Sequence, residues 1–140
     1  MPPQHPYGNY NFTVDFGGAQ SAFHSVVLPE SRAEVIEYRE GGDPLTIRKL
    51  PGLRKFTNLV LKRGVTQSTE LYDWWRQTMI GPVLRRDVVV TLLDENGQAV
   101  KRWVARNAWP ARYEGPHLRA EGNDVAMETL ELAVEGFELV

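Results

Sequence analysis

The sequence predicts a single mainly-β domain that contains one α-helix. Most segments alternate apolar and polar side chains, which is the period of a strand with one face in a core. Only residues 68–80 change to the spacing of a helix, and glycine, proline or asparagine pairs separate the segments. A chain of 140 residues has room for one hydrophobic core, so we expect residues 1–140 to form one domain.

The composition excludes several classes of function. The chain has 16 basic and 18 acidic residues and a formal net charge of −2, so we expect no specific nucleic-acid binding. It has no cysteine, which excludes disulfides, a thiolate nucleophile and cysteine-based zinc sites. No apolar run reaches the roughly 18 residues that a membrane-spanning helix needs.

The N-terminal part is predicted to contain an extended segment followed by three strands. Residues 1–9 are rich in proline and form either an extended arm or a frayed terminus. Residues 10–16 alternate in polarity and end at a glycine pair, as an amphipathic strand does. Residues 23–28 form a second strand, and residues 33–40 a third strand with apolar side chains on both faces.

Residues 41–53 are predicted to be a long loop that contacts another subunit. A loop of this length is uncommon in a small domain unless it is functional. Its glycines and prolines also fit a mobile surface loop, but its regularly spaced apolar residues favour docking. The residues of this loop that we expect at the contact are Gly41, Asp43, Leu45, Ile47, Arg48, Leu50 and Leu53.

A fourth strand is expected over residues 55–62, after which the period becomes helical. The predicted helix spans about residues 68–80, with Ser68 as its N-cap and Gly81 and Pro82 as its stop. The apolar residues on one face of this helix, which we expect in the core, are Leu71, Trp74, Trp75 and Met79.

Residues 86–93 and 100–107 predict a β-hairpin. Asn96-Gly97 is the dipeptide preferred by a two-residue type I′ turn. This turn would place Val90 opposite Trp103 on one face and Val89 opposite Val104 on the other. One face can pack on the core, whereas the other must meet another partner.

The C-terminal part is predicted to end in one long strand. Trp109-Pro110 is expected to end the preceding strand, because proline cannot donate to a strand ladder. Residues 127–139 then form the last strand. We assign Leu130 and Leu132 of its apolar face to the core, together with Val90 and Trp103 of the hairpin.

The sequence contains no recognisable catalytic, cofactor or metal site. The three histidines lack a helical ligand spacing, and no serine lies in a known nucleophile motif. Glu128, Glu131 and Glu135 are interpreted as a solvated strand face or as intersubunit ion pairs, not as an acid–base pair. A small hydrolase or ligand-binding barrel would need converging polar side chains in a pocket, and no such set is evident.

Several motifs in a fixed order resemble those of one family. They are Glu37-Tyr38-Arg39-Glu40-Gly41, Leu61-Lys62-Arg63-Gly64, Arg85-Arg86-Asp87-Val88, Asn107-Ala108-Trp109-Pro110 and Gly122-Asn123-Asp124-Val125-Ala126-Met127-Glu128. With these motifs the chain resembles the tail-tube proteins of contractile phage tails, and most closely their relatives in extracellular contractile injection systems. The type VI secretion tube protein is related to them. The resemblance covers about residues 10–139.

This resemblance implies a structural protein and not an enzyme. The implied fold is a small antiparallel β-barrel or sandwich with one helix. Six copies would form a ring, rings would stack into a hollow tube, and their strands would combine into a β-barrel around the lumen. A surrounding sheath would drive this tube through a target envelope. A tube-initiating or baseplate-adjacent paralogue with the same fold is the alternative.

The resemblance also implies partners and contact residues. The partners would be further copies of the chain, a sheath protein, baseplate or spike proteins, a tube-cap protein and a cargo in the lumen. The loop of residues 41–53 would reach the adjacent ring, and the N-terminal arm, with Pro2, His5 and Tyr7, would lie at a subunit contact. Assembly would occur in the bacterial cytoplasm, within a phage tail or a phage-tail-like particle released from the cell.

Overall fold

The prediction of an antiparallel, mainly-β fold with one helix is confirmed. A computed structural model of the chain describes residues 6–9, 11–17, 20–21, 23–39, 41–42 and 45–140. The elements are β1 Phe12–Asp15, β2 Gln20–Ser21, β3 Ser25–Val27, β4 Ser31–Tyr38, β5 Arg48–Phe56, β6 Leu59–Gly64, α1 Glu70–Ile80, β7 Arg86–Leu93, β8 Ala99–Glu114, β9 Met127–Ala133 and β10 Gly136–Leu139.

Eight of the strands form the body of the subunit. They are ordered β2-β1-β7-β8-β9-β6-β3, and β10 also pairs with β8. The first part of β8 pairs with β7 and β10, whereas its last part pairs with β9. Because β8 takes part in both, we distinguish a first sheet (β2, β1, β7, β8 and β10) from a second sheet (β8, β9, β6 and β3).

The hydrophobic core joins both sheets to the helix. Side chains alternate between the two faces of a strand, so each sheet contributes every second residue. The fully or almost fully buried apolar side chains of this cluster are Val14, Phe16, Val88, Val90, Ala105 and Ala108 from the part around the first sheet, Leu59, Leu61, Leu130 and Leu132 from the second sheet, and Leu71 and Trp74 from the helix.

The helix begins later than predicted but ends as predicted, at Ile80 followed by Gly81 as its C-cap. It begins at Glu70, and Thr69 rather than Ser68 is the N-cap residue. Leu71 and Trp74 are buried and Trp75 is partly buried, but Met79 is 57% exposed, so the assignment of Met79 to the core is wrong. Met79 follows Leu71 by eight residues, so its side chain points about 80° away from the direction of Leu71 around the helix axis. Met79 also lies in the last turn of the helix.

The predicted hairpin forms with a different turn. Val90 pairs with Trp103 and Val89 with Val104, as expected. The type I′ turn is wrong, because Gly97 has a positive φ of 80° and Asn96 does not. The carboxylate of Asp94 accepts hydrogen bonds from the amides of Asn96 and Gln98, which favours a turn with one left-handed residue.

Two predicted strand ends are also wrong. Strand β8 continues through Pro110 to Glu114, because the pairing with β9 shifts register between Pro110 and Arg112 and so accommodates a residue without an N–H. The expected strand of residues 127–139 is divided into β9 and β10. The break lets β9 pair with the last part of β8 and β10 with its first part.

The largest correction concerns the expected loop of residues 41–53. Residues from Arg48 onward form β5, which pairs with β4 in a separate two-stranded sheet. The expected fourth strand is therefore split between β5 and β6. Pro51 is tolerated because β5 pairs on one edge only, and a register shift lies near Gly52. We call residues 31–56 the arm.

Candidate assembly interfaces

The arm exposes apolar side chains along its length. Every residue of β4 is exposed, and so is most of β5. Leu45 is 98% exposed and Leu53 is 72% exposed, whereas an isolated soluble subunit ordinarily covers such a row. The other large exposed apolar side chains of the arm are Val35, Ile36, Tyr38, Ile47 and Leu50.

Apolar side chains lie on both faces of the arm. Val35 is paired with Pro51, and the next pair along, Ile36 with Leu50, must point to the opposite face. The contacts of β4 and β5 are chiefly with each other. A two-stranded hairpin of this kind is at best marginally stable in water. The arm therefore lacks a covering layer on either side.

The root of the arm is fixed to the body. The amide of Glu30 donates to Oγ1 of Thr57 at 2.7 Å, and the amide of Thr57 donates to the carbonyl of Glu30 at 3.0 Å. From this root the eight residues of β4 extend about 26 Å, at about 3.3 Å per residue. A compact chain of this size has a radius of gyration of only about 14 Å. The tip can therefore reach a neighbouring molecule.

Most of the predicted contact residues lie on the arm. Gly41 is at its tip, and the exposed residues Leu45, Ile47, Arg48, Leu50 and Leu53 follow along its second half. Of these, Arg48 pairs with Tyr38 and Leu50 with Ile36 of β4. Tyr7 lies instead on the body and is 54% exposed. Pro2, His5 and Asp43 lie outside the described residues.

The second face of the first sheet is charged. Arg106 on β8 binds Asp87 on β7 at 3.0 Å and Glu138 on β10 at 2.7 Å, and all three side chains are about half exposed. The amide hydrogen bond from Asn107, followed by the one from Arg106, lowers the pKa of the Asp87 carboxyl. The face that Val89 and Val104 share therefore carries charged residues in addition to the expected apolar pair.

The body also has strand edges available for pairing. Among the strands that the structure describes, β10 pairs only with β8, β2 only with β1 and β3 only with β6. An unpaired strand edge presents backbone N–H and C=O groups that a neighbouring chain can bind. The first sheet thus ends at β10 on one side and at β2 on the other.

An open apolar groove lies on the body between β3 and the core face of the first sheet. Its volume is about 410 Å³, and Trp103, assigned to the core from sequence, is only half-buried and forms one wall. Asn9, His24 and Ser25 add polar groups to its lining, and the apolar side chains that define this groove are Tyr7, Phe12, Val26, Leu28, Leu92 and Trp103. A smaller cleft beside it shares Tyr7 and contains Asp94 and Glu95 of the hairpin turn.

A buried ion pair connects three strands of the second sheet. Nε of Arg63 donates to Glu128 at 2.8 Å, both side chains are almost fully buried, and the Tyr113 hydroxyl donates to the same carboxylate at 2.8 Å. Burial, followed by the hydrogen bond to Glu128, raises the pKa of Tyr113 to about 12. Glu128 was interpreted from sequence as a solvated or intersubunit residue, which is wrong, although two of the family motifs contain Arg63 and Glu128.

The described residues show no constellation suited to catalysis. In that part of the chain, no three His, Asp or Glu side chains are grouped as metal ligands. The described helix is also too short and too polar to cross a membrane. The surfaces that stand out are therefore the arm, the groove, the charged face and the strand edges, all of which suit binding to other chains.

Comparisons with known proteins agree with this emphasis on assembly. The chain is similar to a protein in the structure of the anti-feeding prophage tube-terminating cap. The two chains are 27% identical with a TM-score of 0.91, and the alignment covers 100% of this chain and 94% of that one. It is 29% identical, with a TM-score of 0.90, to a protein in the extended sheath–tube complex of the extracellular contractile injection system PVC, covering 98% and 93%.

More distant structures share the fold. Hcp1 from Flavobacterium johnsoniae has 15% identity and a TM-score of 0.66 over 93% of this chain and 94% of its own. No curated protein matches the chain significantly. The family model described as T4-like virus tail tube protein gp19 matches residues 8–138. The chain therefore belongs to the T4-like tail tube protein family.

Proposed function

We propose that the chain is a structural subunit of the inner tube of a contractile phage tail or injection system, in which hexameric rings stack into a hollow tube. The observation that carries this proposal is the arm, whose apolar side chains are exposed on both faces. A surface of this kind is stable in water only when other chains cover it. The subunit does its work by assembling and not by catalysis.

The arm accounts for axial stacking. The length of β4 from its root exceeds the radius of gyration expected for a compact chain of this size, so its apolar residues can contact a neighbouring copy. The arm and the surface that receives it are different parts of the chain. A contact of this head-to-tail type repeats without closing and generates a stack.

The first sheet accounts for ring closure. Its strands β1, β7, β8 and β10 lie side by side, with unpaired edges at the ends of the sheet within the described residues. Pairing of these edges between adjacent copies continues the sheet into a closed barrel, which removes the exposed edges. The charged face with Asp87, Arg106 and Glu138 then lines the lumen, because the opposite face packs in the core.

The partners follow from the place of the subunit in the particle. The structures similar to this chain come from a sheath–tube complex and from a tube-terminating cap. We propose that the tube binds a sheath protein along its length, a baseplate or spike protein at one end and a cap protein at the other. It assembles in the bacterial cytoplasm as part of the particle and holds a cargo in its lumen.

A deletion of the arm tests this function. Replacing residues 34–53 by Asn-Gly leaves the paired residues Ala33 and Arg54 to close a two-residue turn. We expect the purified wild-type chain to form rings and tubes by negative-stain electron microscopy, and the deletion variant to stay folded without stacking. Leu118→Ser, at an exposed apolar residue outside the arm, is the control and should still form tubes. A wild-type chain that stays monomeric at high concentration, with or without a baseplate, would contradict the proposal.

A cap or tube-initiating subunit is the second candidate, because one similar structure is of a cap. Such a subunit would form one or two rings and would not polymerise. Counting copies per purified particle distinguishes the two functions. Many copies indicate the main tube, whereas six or twelve copies, corresponding to one or two six-membered rings, indicate the cap or initiator.

A further inference from the structure

The described part of the body exposes apolar side chains at several places outside the arm. One is the groove around Tyr7 and Trp103. A second is the patch after the end of the helix, with Met79, Ile80, Val83 and Leu84. Smaller exposed sets are Leu118 and Val125 in a loop, Leu139 and Val140 at the end of the chain, and the single residues Val27, Val65 and Tyr72. Under the proposed function the arm must be covered by a second copy, so we compared these surfaces as its receiving site.

The groove combines a concave shape and a mainly apolar lining with access to the core, whereas the cleft at Phe16 and Trp74 is lined largely by polar and charged side chains. Its floor includes Val90, which is buried in the core cluster, and its walls include Phe12 and Val26, which pack against that cluster. An aliphatic side chain inserted there continues the packing of the core. Its volume of about 410 Å³ also lies in the range of about 300–1,000 Å³ that is typical of binding clefts.

Charge also favours the groove. The arm contains six basic and four acidic residues, so ten of the 16 basic and 14 of the 18 acidic residues of the chain lie elsewhere. The arm is therefore basic and the rest of the chain is acidic. Asp94 and Glu95 lie in the cleft beside the groove, whereas the patch at the end of the helix has Arg76 beside it and Arg85, which is paired with Glu135. Opposite charge therefore favours attraction of the arm to the groove.

We propose that the groove receives the arm of a second copy, with Tyr7 at its rim and Glu95 facing the basic residues of the incoming arm. This assignment rests on the proposed function and names the partner surface of the arm. It also gives Tyr7, the one predicted contact residue outside the arm that the structure describes, a place in the same interface as the arm residues.

Disulfide trapping tests the assignment directly, because the chain has no cysteine. Tyr7→Cys is combined in turn with Ile36→Cys, Leu45→Cys, Leu50→Cys or Leu53→Cys, and the matched series carries Ile80→Cys in place of Tyr7→Cys. Tubes are assembled under reducing conditions, checked by negative-stain microscopy, oxidised and separated on a denaturing gel. We expect a ladder of covalent oligomers from at least one Tyr7 pair, with about fivefold more product than from any Ile80 pair.

The outcomes separate this assignment from the function on which it rests. Tubes that give no ladder from any Tyr7 pair, or a ladder from the Ile80 pairs alone, would overturn the assignment and leave the function intact. A wild-type chain that forms no tubes would overturn both. If the double cysteine variants fail to assemble although the wild type does, the charge-reversal variants described next test the assignment instead.

Single charge reversals provide this second measurement. Glu95→Lys should raise the critical concentration for tube formation about tenfold at low ionic strength, because it places a cation opposite the basic arm. The difference should shrink at high ionic strength. Glu121→Lys makes the same change in the loop near Leu118 and should have little effect. Equal effects of the two reversals, or none from Glu95→Lys, would overturn the assignment.

Discussion

The body and the arm use the same apolar residue types in opposite ways. Leu59, Leu61 and Leu130 of the body are completely buried, whereas Leu50 and Leu53 of the arm are 45% and 72% exposed. Burial of a leucine side chain contributes about 1.5–3 kcal/mol, so the body gains this free energy within one chain. The arm gains it only when another chain covers it. Under the proposed function, folding of the subunit and assembly of the tube therefore depend on different residues.

The difference arises from the number of neighbours that each strand has. Strands β7, β8 and β9 each pair on two edges, and one of their faces packs in the core. Strand β4 pairs with β5 alone, and the residues of β4 remain exposed. Substitutions in the body should thus change the free energy of unfolding of the subunit, and substitutions in the arm should not.

The largest expected loss in the body is at Trp74. Its ring is stacked on Phe16 and its Nε1 donates to the carbonyl of Leu84 at 2.8 Å. Trp74→Ala should lower the free energy of unfolding by about 3–5 kcal/mol, as measured by urea denaturation of the unassembled subunit. Trp75→Ala, at the partly buried neighbour, is the comparison and should cost less. Equal losses would show that the two rings share one environment.

The buried ion pair gives the next largest effect. Glu128→Ala leaves the guanidinium of Arg63 buried without its carboxylate, which should lower the free energy of unfolding by about 3 kcal/mol. Glu135→Ala breaks the exposed pair with Arg85 and should cost at most about 1 kcal/mol. Denaturation of both variants checks the contrast. A small loss for Glu128→Ala would mean that water reaches Arg63.

The structural features that depend on local periodicity were predicted from the sequence. Examples are the helical face of Leu71 and Trp74 and the pairing of Val90 with Trp103, because both follow from a repeat within one segment. Strand β5 was not predicted, since Pro51 and Gly52 are typical of a loop and are accommodated only through pairing with β4.

Other features depend on long-range contacts that the sequence does not display. The pairing of Arg63 with Glu128 joins residues 65 positions apart, and neither residue type is expected inside a core. The groove likewise combines residues of β1, β3, β7 and β8. The predicted contact loop of residues 41–53 coincides with the second half of the arm, but the hairpin structure of the arm and the location of Tyr7 beside the groove were not predicted.

A smaller effect in the body is expected at Tyr113 and depends on pH. Its pKa is about 12 in the folded subunit and about 10 when unfolded, so between these values the unfolded chain binds fewer protons. The free energy of unfolding should therefore fall as the pH rises from about 10 to 12. Tyr113→Phe removes this contribution and should cost about 1.5 kcal/mol at neutral pH through the lost hydrogen bond to Glu128. Denaturation of the wild type and of the variant across this pH range checks the prediction. If the free energy of unfolding of the variant depends on pH as steeply as that of the wild type, the prediction is contradicted.

The smallest effect on folding is expected in the arm, where the comparison is most sharply tested. Ile36→Ser combined with Leu50→Ser removes a cross-strand apolar pair that the body does not cover. The free energy of unfolding of the unassembled subunit should change by no more than about 0.5 kcal/mol, because little apolar surface is buried there. Tube formation, followed by light scattering and negative-stain microscopy, should nevertheless be lost. Leu61→Ser should instead lower the free energy of unfolding by about 2–5 kcal/mol, since its side chain is fully buried in the body. A double arm variant that unfolds as readily as Leu61→Ser would mean that the arm contributes to the fold of the single chain.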